Sequence, residues 1–151
     1  MFNRDEHWMR ETLLEARKAI THGDVPIGAI AVYQGAIIGR GHNQRELDND
    51  PTAHAEIIAL RQAAQALGEW RLTGVTLYCT LEPCCMCAGA MVLARLPRLV
   101  YATLDPKAGC AGSVLDVLRH SQLNHRVTVD VGLMADKAAD LLQRFFADLR
   151  D

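Results

Sequence analysis

His54, Glu56, Cys84 and Cys87 are the residues of this chain whose types and spacing could do chemistry. One histidine and two cysteines are enough to hold a catalytic zinc, which typically takes three protein ligands and keeps a fourth position for water. Cys84 and Cys87 stand at i and i+3, so on a helix both thiols share one face. Pro83 opens such a helix and puts them in its first turn. There the helix dipole and the free N–H groups favour the thiolate, the form that binds metal. His54 and Glu56 stand at i and i+2, which do not face each other along a helix. They can share a metal only if it sits off the end of their helix. His54 then reaches the metal, and Glu56 reaches what the metal holds, as a proton carrier beside an activated water.

Each half of this pattern also has a plainer reading. A surface histidine near a glutamate is common. Cys-x-x-Cys serves structural zinc and thioredoxin-like redox pairs as well. A structural ribbon wants a second cysteine pair, and the remaining Cys79 and Cys110 are too far apart in sequence to make one. A redox motif needs no His-x-Glu partner. The combination favours catalytic zinc; a noncatalytic zinc module and a redox protein stay as rivals. Cys85 lies off the Cys84–Cys87 face and reads as a small buried apolar residue. Cys79 reads as core and Cys110 as incidental. His7, His22 and His42 read as solvated. Asn43, from its type alone, could cap a turn. Phe145 and Phe146 read as packing before base-stacking, with one in each role as the alternative.

The elements that must position these groups alternate along the chain. Asn3 and Glu6 make a capping pair for a first helix through Met9, Leu13, Ala16 and Ile20, which Gly23 can end. Ile27–Tyr33 and Ala36–Gly41 read as a hairpin around Gln34-Gly35. His42 to Asp50 reads as a loop. Asp50-Pro51 starts a second helix that runs to Leu67 and stops at Gly68. Val75–Thr80 alternates as a strand, Cys84–Leu96 is a third helix, and Leu99–Thr103 is another strand. Asp105–Gly112 is a loop, Ser113–His120 a short helix, Val127–Val131 a strand and Met134–Leu149 a last helix. Strands separated by helices predict parallel pairing and a three-layer α/β/α sandwich. The third helix is apolar nearly all round, which predicts that a second subunit covers part of it.

Composition bounds the class. The chain has 151 residues, one domain's worth, with half of them hydrophobic and 23% charged. No apolar run reaches the ~18 residues of a membrane helix. Met1 to Glu6 is charged and lacks an apolar signal core, so a cytoplasmic place is expected. Five cysteines, three of them within Cys84–Cys87, point to metal or catalysis in a reducing compartment. A net charge of −2 and eight aromatics argue against grip by phosphate neutralisation alone and against a broad stacking platform.

His54-Ala55-Glu56 followed by Pro83-Cys84-Cys85-Met86-Cys87 resembles the signature of the zinc-dependent nucleobase deaminases. Within them the chain is similar to the bacterial tRNA-specific adenosine deaminases. The likeness rests on Val25–Ala29, Gly41-His42-Asn43, Asp50–Glu56, Thr80–Cys84, Met86–Met91, Asp105–Gly109 and Asn124-His125, and covers almost the whole chain. It implies one cytidine-deaminase-like domain over 1–151, with a five-stranded mixed sheet between helices. It implies one zinc per subunit on His54, Cys84 and Cys87, with Glu56 as proton shuttle. Asn43 would hydrogen-bond the flipped base, and Asp105 and Lys107 would meet substrate. Arg45, Arg119, His120, His125 and Arg126 are further candidates for an RNA rim. The implied reaction is hydrolytic deamination of the wobble adenosine in a tRNA anticodon loop to inosine, by a homodimer, with no membrane and no DNA partner. Such enzymes often carry a basic C-terminal extension, whereas Phe145–Asp151 is not basic. The nearest rival keeps the chemistry on free guanine, free cytosine or a small nucleotide.

Overall fold

Alternation along the strands builds two cores, one on each face of a single sheet. Ala29, Ala31, Leu77, Cys79, Leu99 and Tyr101 turn to one face. Ile30, Val32, Tyr78, Val100 and Ala102, their neighbours in sequence, turn to the other. The computed structural model describes residues 2–150. The strands are β1 (Gly28–Tyr33), β2 (Ala36–His42), β3 (Val75–Leu81), β4 (Arg98–Thr103) and β5 (Thr128–Val131). The helices are α1 (Phe2–Arg17), α2 (Arg45–Asp48), α3 (Ala55–Leu67), α4 (Cys85–Leu93) and α5 (Ala135–Arg150). The sheet order is β2-β1-β3-β4-β5. α3 and α4 cover the first face, α1 and α5 the second. This is the three-layer α/β/α sandwich with a five-stranded mixed sheet.

Pairing is parallel for β3–β4 and β4–β5, and antiparallel for β1–β2 and β1–β3. The expectation of parallel pairing therefore fails at β1–β3. The crossover through α3 carries the chain from β2 past β1, so β3 runs parallel to β2 but pairs with the hairpin's other strand.

Three helix expectations also change. Asn3 lies inside α1 and does not stand ahead of it. α3 starts at Ala55, with His54 as its N-cap, four residues later than the Asp50-Pro51 start. Asp50 instead accepts the Thr52 N–H and hydroxyl, a local turn that competes with the helix. Ser113–His120 is not helical and forms turns around an Ala111–Asp116 bridge. The Ala111 and Ser113 N–H groups are taken by Glu82. The loop expected from His42 holds the one-turn helix α2.

Small residues let α3 sit almost on the sheet. A Cβ on Gly41 would overlap the Ala55 carbonyl oxygen, and one on Gly39 the Ala59 carbonyl oxygen. Gly41 thus fixes the height of the first turn of α3, the turn that carries Glu56. On the opposite face, Asp5 of α1 accepts from Arg98 at 2.8 and 3.1 Å and from the Tyr78 hydroxyl. The Arg98 guanidinium, outweighing the cost of burial, holds the Asp5 carboxyl below its ordinary value, with Tyr78 adding to it.

Gly41→Ala is expected to lose about 1–3 kcal/mol of unfolding free energy in urea, because backbone on both sides blocks relaxation. A loss near zero would contradict the close approach. A carboxyl depressed in the folded state contributes stability above its unfolded pKa and loses it as pH falls through the folded one. Wild type should therefore lose more stability than Asp5→Asn between about pH 5 and pH 2. Equal losses in parallel denaturation curves would contradict this.

Candidate active site

The starts of α3 and α4 point at one another. His54 caps α3 in extended conformation (φ −82°, ψ 150°), and Cys84 caps α4 likewise (φ −74°, ψ 177°). Both helices thus present their free N–H ends, and their dipoles, to the same space. His54 Nδ1 lies 3.5 Å from Cys84 Sγ and 3.6 Å from Cys87 Sγ. All three ligand atoms fall within 4.8 Å of one another. A tetrahedral zinc with bonds of about 2.3 Å to sulfur and 2.0–2.1 Å to nitrogen has an S···N edge of about 3.6 Å. The residues therefore fit the ion, in donor type and in spacing.

The electrostatics suit anionic sulfur. The Cys84 thiol is pulled down to about 4, first by the hydrogen bond from Cys87 and then by His54, against burial. The Cys87 thiol rises for the matching reason, as the partner that keeps the shared proton. The hydrogen bond with Cys84 raises His54. Glu56, 4% exposed, is pushed up to about 7 by burial.

These groups open into a cavity of about 210 Å³. It gathers Asn43, Arg45, His54, Glu56, Cys84 and Asp105, with Val25, Ile27 and Leu81 as apolar wall. Drug-sized ligands sit in cavities of roughly 300–1,000 Å³, so this one has room for a base and little more. Asn43 is buried, and its Oδ1 accepts the Arg45 N–H at 3.1 Å. The turn-capping reading of Asn43 is thus real for its oxygen, and its NH2 remains for a ligand. Asp105 Oδ1 accepts from Lys107 N and Ala108 N, a local turn that shapes the loop. Lys107 is exposed outside the cavity lining.

Other rim candidates are engaged elsewhere. Arg119 binds Asp116 and the Ala111 carbonyl, His125 the Leu96 carbonyl, and Arg126 the Ser121 carbonyl. His120 is exposed and accepts the Gln122 N–H. Arg45 is the basic side chain that the cavity lining includes.

Several minor expectations need correction. Cys85 is exposed and bonded to Cys110 as a disulfide with Cα atoms 5.1 Å apart. At the first position of α4 it points away from the ligand face, toward the 105–112 loop. Cys110 is accordingly not incidental. His22 and His42 are not free in solvent: they sit 2.7 Å from Asp24 and 2.8 Å from Glu15, both buried carboxylates. His7 is exposed, Cys79 is core, and Phe145 packs while Phe146 stays exposed.

Two functional neighbours carried no obvious signal. Asp24, 1% exposed, accepts the Glu46 and Leu47 N–H groups and so holds the segment after Asn43. Glu82 holds the 105–113 loop in the same manner. A lone acidic residue next to a motif says nothing of its partners; only the fold names them.

The comparisons agree on one family. The model of the MafB19-like deaminases matches residues 3–150. A tRNA-specific adenosine deaminase of Bacillus subtilis is 46% identical over 97% of this chain and 91% of its own length. One from Aquifex aeolicus is 42% identical over 97% and 96%. A solved structure from work on A-to-I editing by tRNA deaminases at the wobble position superposes with TM-score 0.86 at 44% identity, covering 90% of this chain and 99% of that one. A guanine deaminase from Nitrosomonas europaea is more distant, with TM-score 0.79 and 27% identity over 94% and 84%. The chain belongs to the MafB19-like deaminases and, among them, to the family of tRNA-specific adenosine deaminases.

Proposed function

We propose that this enzyme converts the wobble adenosine of a tRNA anticodon loop to inosine by hydrolytic deamination. The observation that carries the reading is the three-ligand triangle against a cavity of base size, lined also by Glu56 and Asn43. Relatives at 42–46% identity carry the substrate, against 27% for the guanine deaminase. A loop base is already unpaired, so splaying it out costs little.

His54, Cys84 and Cys87 would hold one zinc per subunit. When bound, the ion supplies the Lewis acidity that makes water nucleophilic near neutral pH. The chain's own groups do the rest. Glu56 would take one proton from the attacking water and deliver it to the ring nitrogen of the base, then carry the remaining hydroxyl proton to the amino group, which leaves as ammonia when the C–N bond breaks. The Asn43 NH2 would donate to an acceptor on the base edge. Val25, Ile27 and Leu81 exclude bulk water around it. Arg45 and Asp105 would meet the nucleotides flanking the base, and Lys107 the phosphates outside the cavity.

We also propose a homodimer. α4 leaves Met86 and Leu93 exposed, the latter at 71%, and exposed Trp70 lines a groove with Ala90 and Ala94. Large apolar side chains left open on and beside one apolar helix mark an interaction surface. Among the described residues no helix is long and apolar enough to cross a membrane. A tRNA substrate supports a cytoplasmic enzyme. Disulfides are uncommon there, and neither Cys85 nor Cys110 belongs to the ligand triangle, so the reading does not depend on their bond.

Glu56→Gln should keep zinc content and fold yet lose at least a hundredfold in kcat on an anticodon stem-loop, the scale of general acid–base catalysis. Near-normal inosine formation by that variant, or turnover of free guanine without any on the stem-loop, would overturn the reading. Sedimentation at micromolar concentration should give twice the chain mass, and Leu93→Glu should give a monomer. A wild-type monomer would remove the dimer.

A further inference from the structure

Glu82 is 2% exposed, and among the described residues no cation pairs with it. It is satisfied by loop donors alone. Oε1 accepts the Asp105 N–H at 3.0 Å and the Ser113 hydroxyl. Oε2 accepts the Ala111 and Ser113 N–H groups, each at 3.0 Å. These bonds outweigh burial and keep the carboxyl below its ordinary value. The loop is shaped around the anion in return. A Cβ on Gly109 would overlap the Glu82 carboxylate, so only glycine fits there. The backbone of Glu82 is fixed as well, its N–H donating to the Thr103 carbonyl at the end of β4.

We propose that Glu82 is a positioning residue for substrate: its carboxylate folds the 105–113 loop into the wall of the base cavity that Asp105 and Ala108 supply. This rests on the reading of that cavity as the seat of the flipped adenine. Glu82 also lines the cavity; in this role it works through the loop and not by contact with the base or the ligand triangle. It acts through Asp105, whose backbone it holds and whose side chain then sets Lys107 and Ala108. A wall that frays binds ground state and transition state less well alike, so the loss falls on KM and not on kcat.

Glu82→Gln isolates the effect. The amide nitrogen cannot accept, so it settles where fewer donors are stranded. Ser113 can rotate its hydroxyl to accept, whereas two fixed N–H groups face Oε2. The nitrogen therefore takes the Oε1 place and releases the Asp105 N–H. Hydrogen exchange, read without substrate, should quicken at the Asp105 amide more than at Ala111 or Ser113. KM for an anticodon stem-loop should rise about tenfold, the worth of one hydrogen bond to a charged group, and this rise should carry most of the loss in kcat/KM at unchanged zinc content. If Glu82→Gln does not fold, Ser113→Ala at its exposed position decides, with a KM rise of about threefold expected. The proposal is overturned by an Asp105 amide that exchanges as in wild type, by a loss carried mainly by kcat, or by an unchanged KM in the deciding variant. Absence of inosine in the wild-type reaction would instead sink the substrate reading, since the exchange result stands without substrate.

Discussion

Three ligand atoms from two helix starts have to fall within 4.8 Å of one another. That demand governs much of the chain. α3 must lie low enough on the β1–β2 hairpin for its N-cap to reach across, which requires Gly39 and Gly41 beneath it. β3 must deliver the chain to Cys84 in extended conformation, which Pro83 enforces on one side and the cap geometry on the other. Both helices then aim their positive ends at the sulfurs, and the Cys87 backbone N–H helps hold Cys84 as the thiolate.

The same residue type meets two fates around this centre. Glu56, Asp24 and Glu82 are all nearly out of reach of solvent. Glu82 collects backbone N–H donors from a loop and Asp24 from α2, and these stabilise the charge more than burial penalises it. Glu56 has only its own backbone, His54 and Cys87 to favour its charge, and burial prevails. A carboxylate that must hold a loop is best kept charged. One that must carry a proton is best left free to change state. Asp24 holds the segment after Asn43 and Glu82 the 105–113 loop, and both segments supply residues to the cavity lining.

The sequence carried the centre and the sheet further than the connections. His54, Glu56, Cys84 and Cys87 were legible because their chemistry depends on type and spacing, which sequence records directly. Strand positions were legible because alternation is local, as in Ile30 and Val32 against Ala29 and Ala31. Most of what failed was non-local; the start of α3 and the partner of His22 are local exceptions. The antiparallel partnership of β1 and β3 depends on where α3 lets the chain return. The start of α3 depends on Asp50 spending its oxygen on Thr52. The missing helix after Ser113 depends on Glu82, 31 residues away. Cys85 and Cys110 read as unrelated because nothing local says that α4 and the loop meet. His42 read as solvated because its partner Glu15 comes from the distant α1, whereas His22 has its partner Asp24 two residues on and is held there by the Gly23 turn.

X-ray absorption at the zinc edge of the purified enzyme tests the central arrangement most directly. The account predicts one zinc per chain with two sulfur scatterers at about 2.3 Å and two nitrogen or oxygen scatterers at about 2.0–2.1 Å, one of them from solvent. A third or fourth sulfur around the ion, or a purified chain that retains none, would contradict it.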